Sequence, residues 1–500
     1  MSQPETIGTD AAPTVTIASG RIRGVRHGNV DRYLGVPYAA APIGENRFAA
    51  PQPVPVQEGE RDCRQMGATA PQLPYAGGME NYLSTVTVPG DEILNLAIWA
   101  PALPDTPVAP ADALGTGHPV IVWIHGGSLS RGSNAITAYD GTSFARDGIV
   151  FIGVNYRLGA EGFSVLDDAD TNLGLADQAA ALRWVRENAA AFGGNPANVT
   201  VMGESAGAIC IAALLAHPDA ALLFDRAIMQ SGPPDSRPRK KSRLITDLMA
   251  KELGIAANRA TFSEASAPAL LDAQRRVTAG TTPITGGPAY TLTLDSTLVP
   301  RNPATAIGAG RGSSIPLLIG ANTEEYRLWF IPTGLMNTIG WLHIGVAMLK
   351  FGISPRTVRR YRRNRPGCTL GELFGALATD LLLRVPVNRI ADARLAQPGG
   401  ATTHVYEFAW RSPVADLGAC HALELGFVFD TLDSADAQAM GGPTAPQQLA
   451  TEMHDAWVRF ARNGEPGWPS WNAYRPVRIW DGAANPLVHS PREDERSSWR

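Results

Sequence analysis

NVTVMGESAGAICIAALL, residues 198–215, is the stretch that decides the fold. Its first five residues are rich in β-branched side chains and predict a strand over 198–202. From Ala206 onward the residues are small or aliphatic and predict a helix over 206–215. Between the two stands Gly203-Glu204-Ser205-Ala206-Gly207, a match to G-x-S-x-G. A strand running almost straight into a helix leaves only residues 203–205 for the reversal, and a serine there lifts its hydroxyl above the sheet edge. Flanking glycines let the neighbouring backbone approach closely. The chain has 51 glycines, so a bare match carries little. The strand before it and the helix after it are what make Ser205 a candidate nucleophile. The helix start also aims unpaired amides at the point where an oxyanion would form.

Outward from this element, residues 119–124 (PVIVWI) and 149–155 (IVFIGVN) are continuous apolar runs, as expected of strands buried on both faces. Residues 173–192 follow a helical period, with Leu182, Val185, Ala189 and Phe192 on one face and Gly193-Gly194 as the stop. Short strands are expected at 94–100, 227–229, 316–319 and 403–410. This alternation predicts the α/β class, with a largely parallel central sheet flanked by helices. The periphery is less regular. Residues 14–26 alternate around a glycine and predict a hairpin. Residues 1–13 read as a loose tail, 32–48 and 101–119 as loops, and 433–447 (DSADAQAMGGPTAPQ) as a loose polar segment. Residues 236–285 and 331–400 are helical and Arg-rich, and read as insertions forming a cap above the sheet. Without a repeat or a sharp break in composition, residues 1–500 read as one domain.

Composition excludes several classes. Hydrophobic residues make up 44% and charged residues 18%, and the formal net charge is −4. That balance leaves no electrostatic footprint for nucleic acid or an anionic membrane. Two basic stretches, RPRKKSR (237–243) and RTVRRYRRNRP (356–366), read as solvated faces. No apolar run has the length of a bilayer span, and the acidic N-terminus lacks a secretory pattern. The cysteines Cys63, Cys210, Cys368 and Cys420 show neither paired spacing nor a grouping with histidines. The expectation is a cytoplasmic protein that uses no metal and no cofactor.

A second motif follows the run at 119–124. His125-Gly126-Gly127-Ser128 offers backbone N–H groups on a turn small enough for a substrate oxygen to approach. The amides of Gly127 and Ser128, joined by that of Ala206, are the expected oxyanion hole. His125 is expected to anchor the turn.

These residues resemble the type B carboxylesterase family, which includes bacterial p-nitrobenzyl esterases, animal carboxylesterases and cholinesterases. The matching segments include YLGVPYAAAPIGENRF, WIHGG, NYRLGAEGF, NLGLADQAAALRWVRENAAAFGGNP, VTVMGESAG, AIMQSG, IGANTEE and HALELGFVF. They span residues 33–429, and the bacterial members are the better match. The resemblance implies the α/β-hydrolase fold. It also implies the two partners that composition leaves open. The family's acid falls in GANTEEY, at Glu325 with Glu324 the other candidate, and the motif's last glycine is replaced by Tyr326. The family's histidine falls at His421 in CHALELGFVF. The order Ser205, Glu325, His421 is the one this fold uses.

Secreted family members carry a disulfide whose cysteines would fall near Ala70 and Ile93, and neither position is cysteine here. The tryptophan with which cholinesterases bind a quaternary ammonium is also missing from that loop, since the first tryptophan of the chain is Trp99, already in the strand at 94–100. Choline esters are therefore not expected as preferred substrates. Arg157 and Asp177 match family positions and are expected to pair. Glu204 either tunes the field beside the nucleophile or supports its turn. Leu129, Trp329, Phe330 and Leu335 are expected to line the acyl and alcohol pockets. The expected activity is hydrolysis of small-molecule carboxylic esters through an acyl-enzyme. Carbamate or amide hydrolysis by the same residues, and a non-catalytic binding protein, are the alternatives.

Overall fold

The computed structural model describes residues 12–103, 117–279, 289–294 and 297–499. Most of the expected N-terminal tail, most of the loop at 101–119 and the last residues of 236–285 lie outside them. Among the described residues an eleven-stranded sheet runs, from one edge to the other, through Leu487–His489, Pro476–Trp480, Thr403–Phe408, Leu317–Asn322, Arg226–Gln230, Gly194–Glu204, His118–Ile124, Val150–Val154, Asn95–Pro101, Val30–Pro37 and Val25–His27. The seven strands from Pro476–Trp480 to Val150–Val154 are mutually parallel. The strands beyond them at both edges are antiparallel.

Continuous apolar runs form the middle of the sheet because both of its faces are covered. Along His118–Ile124, Val120, Val122 and Ile124 join one hydrophobic core, while Ile121 and Trp123 join the other. The first core is closed by Leu173–Asn188, through Leu175, Leu182 and Val185, and by Ala206–Ala216, through Ile211. The second is closed by Gln447–Asn463, whose Met453, Trp457 and Phe460 are wholly buried. Leu173–Asn188 continues through a 3-10 turn, Ala189–Phe192, and ends at Gly193 with φ 75°. A left-handed residue there is the natural stop for a helix.

Residues 14–23 form the expected hairpin, as Thr14–Ile17 and Gly20–Arg23 in a small separate sheet. Two peripheral expectations are corrected. Residues 32–48 were expected as a loop, but Val30–Pro37 is a strand antiparallel to Asn95–Pro101, with buried Tyr33 and Val36. Gly35, which reads as a breaker, sits at φ 73° where the register shifts, so it makes a bulge within the strand. Residues 433–447 were expected to be loose, but 435–441 form the helix Ala435–Gly441. Ser434 caps it by accepting from Ala437 N, Asp436 accepts from Thr137 N at 2.9 Å, and Met440 is buried. The sequence reading also passed over Gln447–Asn463 and the edge strands Pro476–Trp480 and Leu487–His489.

Within 236–279 stand the helices Arg239–Leu253, Arg259–Glu264 and Ala267–Val277. Within 331–400 stand Leu335–Thr338, Trp341–Phe351, Pro355–Asn364 and Leu370–Thr379, then a π-helical turn, Asp380–Arg384, that continues into Val385–Leu395. Trp341–Phe351, Pro355–Asn364 and Leu370–Thr379 share a small core of their own around Ile344, Tyr361 and Leu373. Val385–Leu395 instead lies against the sheet, with Ile390 and Ala391 in the same core as Val405.

Candidate active site

Parallel strands end on a common edge, and ligand sites of open α/β sheets gather there. Here Gly194–Glu204 lies between His118–Ile124 and Arg226–Gln230, with Gly203 opposite Ile124 and Glu204 opposite Gln230. The chain therefore delivers Ser205 after one strand and Gly126-Gly127 after its neighbour. Leu317–Asn322, beyond Arg226–Gln230, delivers Glu325, and the segment after Thr403–Phe408 brings His421.

Ser205 is a non-glycine residue at φ 53°, ψ −120°, a conformation that persists only when the surroundings enforce it. Its N–H donates to Gln230 O at 2.9 Å, and its carbonyl accepts from Ile209 N. The glycines around it are there for contact. A Cβ on Gly207 would come within 2.0 Å of Ile124 O, and one on Gly232 within 2.4 Å of Ser205 O. A Cβ on Gly126 would meet Glu204 Oε2 at 2.7 Å.

The HGG turn is equally constrained. Gly127 adopts φ 107°, and a side chain there would collide with Arg131 O. Ser128 and Leu129 follow at φ 56° and 59°. Ser130 N and Arg131 N both donate back to Gly127 O, and Gly159 N donates to Leu129 O at 2.7 Å. The N–H groups of Gly127, Ser128 and Ala206 have no protein acceptor among the described residues. His125 holds the turn from below. Its Nδ1 donates to Gly126 O, its ring stacks on Tyr156 at 4.5 Å, and Tyr156 donates to its carbonyl. Burial pushes its pKa down to about 4, so it is neutral.

His421 and Glu325 meet through a hydrogen bond from His421 Nδ1 to Glu325 Oε2 at 2.6 Å. Glu325 Oε1 accepts from Asn322 N at 2.7 Å, which fixes the carboxylate from its other side. Trp329 lies against the His421 ring, with centroids 4.8 Å apart. His421 Nε2 is 3.0 Å from Glu204 Oε1, an ion-pair contact without the alignment of a hydrogen bond. Burial opposes a charge on the imidazole, but Glu204 and then Glu325 outweigh it and raise its pKa well above the usual histidine value. Burial likewise raises the Glu204 carboxyl, against the pull of His421.

Glu324, the other candidate acid, faces away from His421. It accepts from Arg327 Nε at 2.8 Å, from Ala419 N at 3.1 Å and from Arg411 Nη1 at 2.5 Å. Arg327 in turn donates to the Asp416 carbonyl and carboxylate. Glu324 thus ties the acid loop to the segment that carries His421. Tyr326, where the family motif has glycine, takes an ordinary helical φ of −58°. Its ring lies against Gly375, where any Cβ would come within 2.1 Å of it.

The sequence reading missed a buried polar layer beneath these residues. Asn322 Nδ2 donates to Cys420 O and to Glu424 Oε2, both at 2.7 Å. Gln230 Nε2 donates to Glu424 Oε1, and Trp457 Nε1 donates to Gln230 Oε1 at 3.0 Å. Burial, reinforced by Glu204 and Glu325, raises the Glu424 pKa to about 8. The signal was a carboxylate inside the apolar run HALELGFVF, which a buried segment tolerates only with partners.

Two cavities meet at Ser205, Ser128, Trp329 and His421. One, of about 450 Å³, is the less apolar of the two, and Tyr75, Arg131 and Glu204 are among its lining residues. The other, of about 410 Å³, is more apolar and runs past Leu129, Phe330, Phe351 and Leu382. Leu129, Trp329 and Phe330 therefore reach these walls. Leu335 does not: left-handed Gly334 starts a new short helix there, which packs on Leu370–Thr379 and away from both cavities. Trp99 is buried in its strand, edge-on to Phe151, and cannot bind a ligand. Arg157 and Asp177 form a buried pair at 2.6 Å.

A profile of the carboxylesterase family matches residues 11–479. The chain belongs to the carboxylesterase family. Para-nitrobenzyl esterase of Bacillus subtilis is 34% identical to it, over 96% of this chain and 97% of that protein. Phenmedipham hydrolase of Pseudarthrobacter oxydans is 32% identical, over 93% of this chain and 94% of that protein. A carboxylesterase structure from Geobacillus stearothermophilus superposes with a TM-score of 0.84 at 32% identity, over 97% of this chain and all of the other. The fold is the α/β-hydrolase fold, and this carboxylesterase is a serine ester hydrolase acting on small-molecule esters.

Proposed function

We propose that this esterase works through Ser205 as nucleophile, His421 as general base and acid, and Glu325 as the carboxylate that orients the imidazole. The observation that carries the assignment is the 2.6 Å bond from His421 Nδ1 to Glu325, with the same ring and Ser205 lining one cavity. Ser205 Oγ attacks the ester carbonyl as His421 Nε2 takes its proton. The developing oxyanion is stabilised by the N–H groups of Gly127, Ser128 and Ala206, which have no protein acceptor to give up among the described residues. His421 then protonates the departing alcohol. A water molecule, activated by the same histidine, releases the acid from the acyl-enzyme.

Glu325 keeps the Nδ1–H tautomer in place and stabilises the imidazolium. Glu204 adds to that stabilisation from the opposite nitrogen. The more apolar cavity suits the hydrocarbon part of the ester, and the less apolar one, with Arg131 and Glu204 in its wall, the other half. We assign the protein to the cytoplasm, a reading supported by four free cysteines, of which Cys63, Cys210 and Cys420 are buried.

Hydrolysis of p-nitrophenyl butyrate tests the assignment. Ser205→Ala is expected to lower kcat by about 10⁴-fold or more with unchanged circular dichroism. Retention of full activity in that variant contradicts the assignment. A carbamate or amide as the scissile bond keeps every residue in its role, and the similarity to phenmedipham hydrolase keeps that reading in view. Matched phenyl ester and phenyl carbamate substrates separate the two by their kcat/KM.

A further inference from the structure

The helix Trp341–Phe351 (WLHIGVAMLKF) turns its apolar residues outward. Ile344 and Ala347 are buried in the small core it shares with Tyr361 and Leu373. On the opposite side, Leu342 is 78% exposed, Leu349 89%, Val346 54% and Trp341 52%. These positions are spaced as one face of a helix, so they form a patch. His343 and Lys350 are the polar side chains in the whole element.

The helix that carries the patch ends against the active-site cavity. Phe351, at the end of the same helix, and Leu382 are both about half exposed, and both line the more apolar cavity that reaches Ser205. The patch is also rimmed by positive charge. Pro355–Asn364 follows directly and carries Arg356, Arg359, Arg360, Arg362 and Arg363 without an acidic residue. The Arg362 guanidinium lies over the Trp341 ring at 5.4 Å, and Lys350 Nζ over the Phe351 ring at 5.2 Å. Arg356, Arg359, Arg362 and Arg363 form no ion pair with a carboxylate among the described residues.

We propose that this face seats the enzyme on an anionic phospholipid surface, and that its substrates include long-chain esters carried in that surface. Outward leucines, a tryptophan at the rim and flanking arginines are what a helix lying in a lipid interface requires. Arginine stems cover apolar surface while their heads reach the phosphates. No helix among the described residues is long and apolar enough to cross a membrane, so the contact is peripheral. A second copy of the chain fits less well, because pairing two such faces brings two unpaired arginine clusters together. The basic stretch 356–366, read from sequence as a solvated face in a chain with no footprint for an anionic membrane, thereby gains a partner. The substrate class rests on the esterase assignment, whereas the docking does not.

Co-sedimentation of the full chain with vesicles tests this. Phosphatidylcholine vesicles containing phosphatidylglycerol are expected to bind the protein about tenfold better than phosphatidylcholine alone, with the gain lost in high salt. Leu342→Ser/Leu349→Ser is expected to weaken that binding about tenfold, since it removes the inserted apolar surface. The same variant should hydrolyse soluble p-nitrophenyl acetate at the parent rate and a vesicle-borne long-chain ester more slowly. Arg359→Glu/Arg363→Glu should abolish the preference for phosphatidylglycerol.

Failure of the parent protein to bind anionic vesicles overturns the proposal, as does undiminished binding by the double serine variant. A dimer in sedimentation velocity that the serine variant dissolves makes a second copy the occupant, and overturns it too. Equal turnover of the vesicle-borne ester by parent and variant overturns the substrate class. Vesicle binding without any Ser205-dependent ester hydrolysis would sink the assignment of function and leave the docking intact.

Discussion

The two sides of the active site are positioned by different physics. On the nucleophile side, Ser205 and the HGG turn are held by backbone geometry and by the absence of side chains. Gly126, Gly127, Gly207 and Gly232 sit where a Cβ would strike a carbonyl or another main-chain neighbour. On the acid and histidine side, position comes from buried polar groups. Asn322 bonds Glu325, Cys420 and Glu424, while Glu324 bonds Ala419, Arg327 and Arg411. Steric positioning is all-or-none, because close-packed atoms have nowhere to go. Polar positioning is graded, because each hydrogen bond contributes a modest amount.

That contrast orders the effects of mutation. The largest belongs to Gly207→Val. Its side chain would start about 2 Å from Ile124 O, so soluble protein is expected to be lost or its Tm sharply lowered. A variant that folds and works normally would show that the elbow is not sterically set. Asn322→Ala comes next. It keeps the main-chain bond to Glu325 and loses the side-chain bonds to Cys420 O and Glu424, at about 1–3 kcal/mol or roughly a 5- to 150-fold fall in kcat, with KM little changed. Unchanged kcat would mean that the Cys420 segment holds its place without the Asn322 side chain.

Glu324→Gln weakens the bonds to Arg327 and Arg411 but keeps acceptors, so the fall in kcat should be at most about tenfold. A loss as deep as that of Ser205→Ala would instead make Glu324 the catalytic acid. The mildest effect is a shift in pH dependence. Glu204 favours the protonated form of His421, which is inactive as a base, and so raises its pKa. Removing the charge in Glu204→Gln lowers that pKa, and the acidic limb of the kcat/KM profile should move to lower pH. A limb that stays in place or moves upward would contradict the contact read here.

The same contrast explains what was legible in the sequence. The sharp turn at Ser205 and the HGG turn could be read directly because glycines at fixed offsets record steric needs in the chain itself. The central strands could be read because burial on both faces leaves an unbroken apolar run, as in residues 119–124. Glu325 and His421 came from resemblance, because a carboxylate and an imidazole carry no local mark of the partner they meet 96 residues away. Asn322, Gln230 and Glu424 escaped for the same reason, since their bonds join segments distant in sequence. Residues 30–37 were misread because Gly35 looks like a breaker until the partner strand shows a bulge. Leu335 was placed near the site by chain proximity to Glu325, and the turn at Gly334 takes it elsewhere.

The central claim is that one serine, Ser205, held at a strained turn beside the HGG turn, carries the chemistry. Treatment with a fluorophosphonate, followed by mass spectrometry of the digested protein, addresses it most directly. The expected result is a single phosphonyl adduct on Ser205, formed in step with loss of esterase activity. An adduct on another residue, or complete inactivation with Ser205 unmodified, would contradict it.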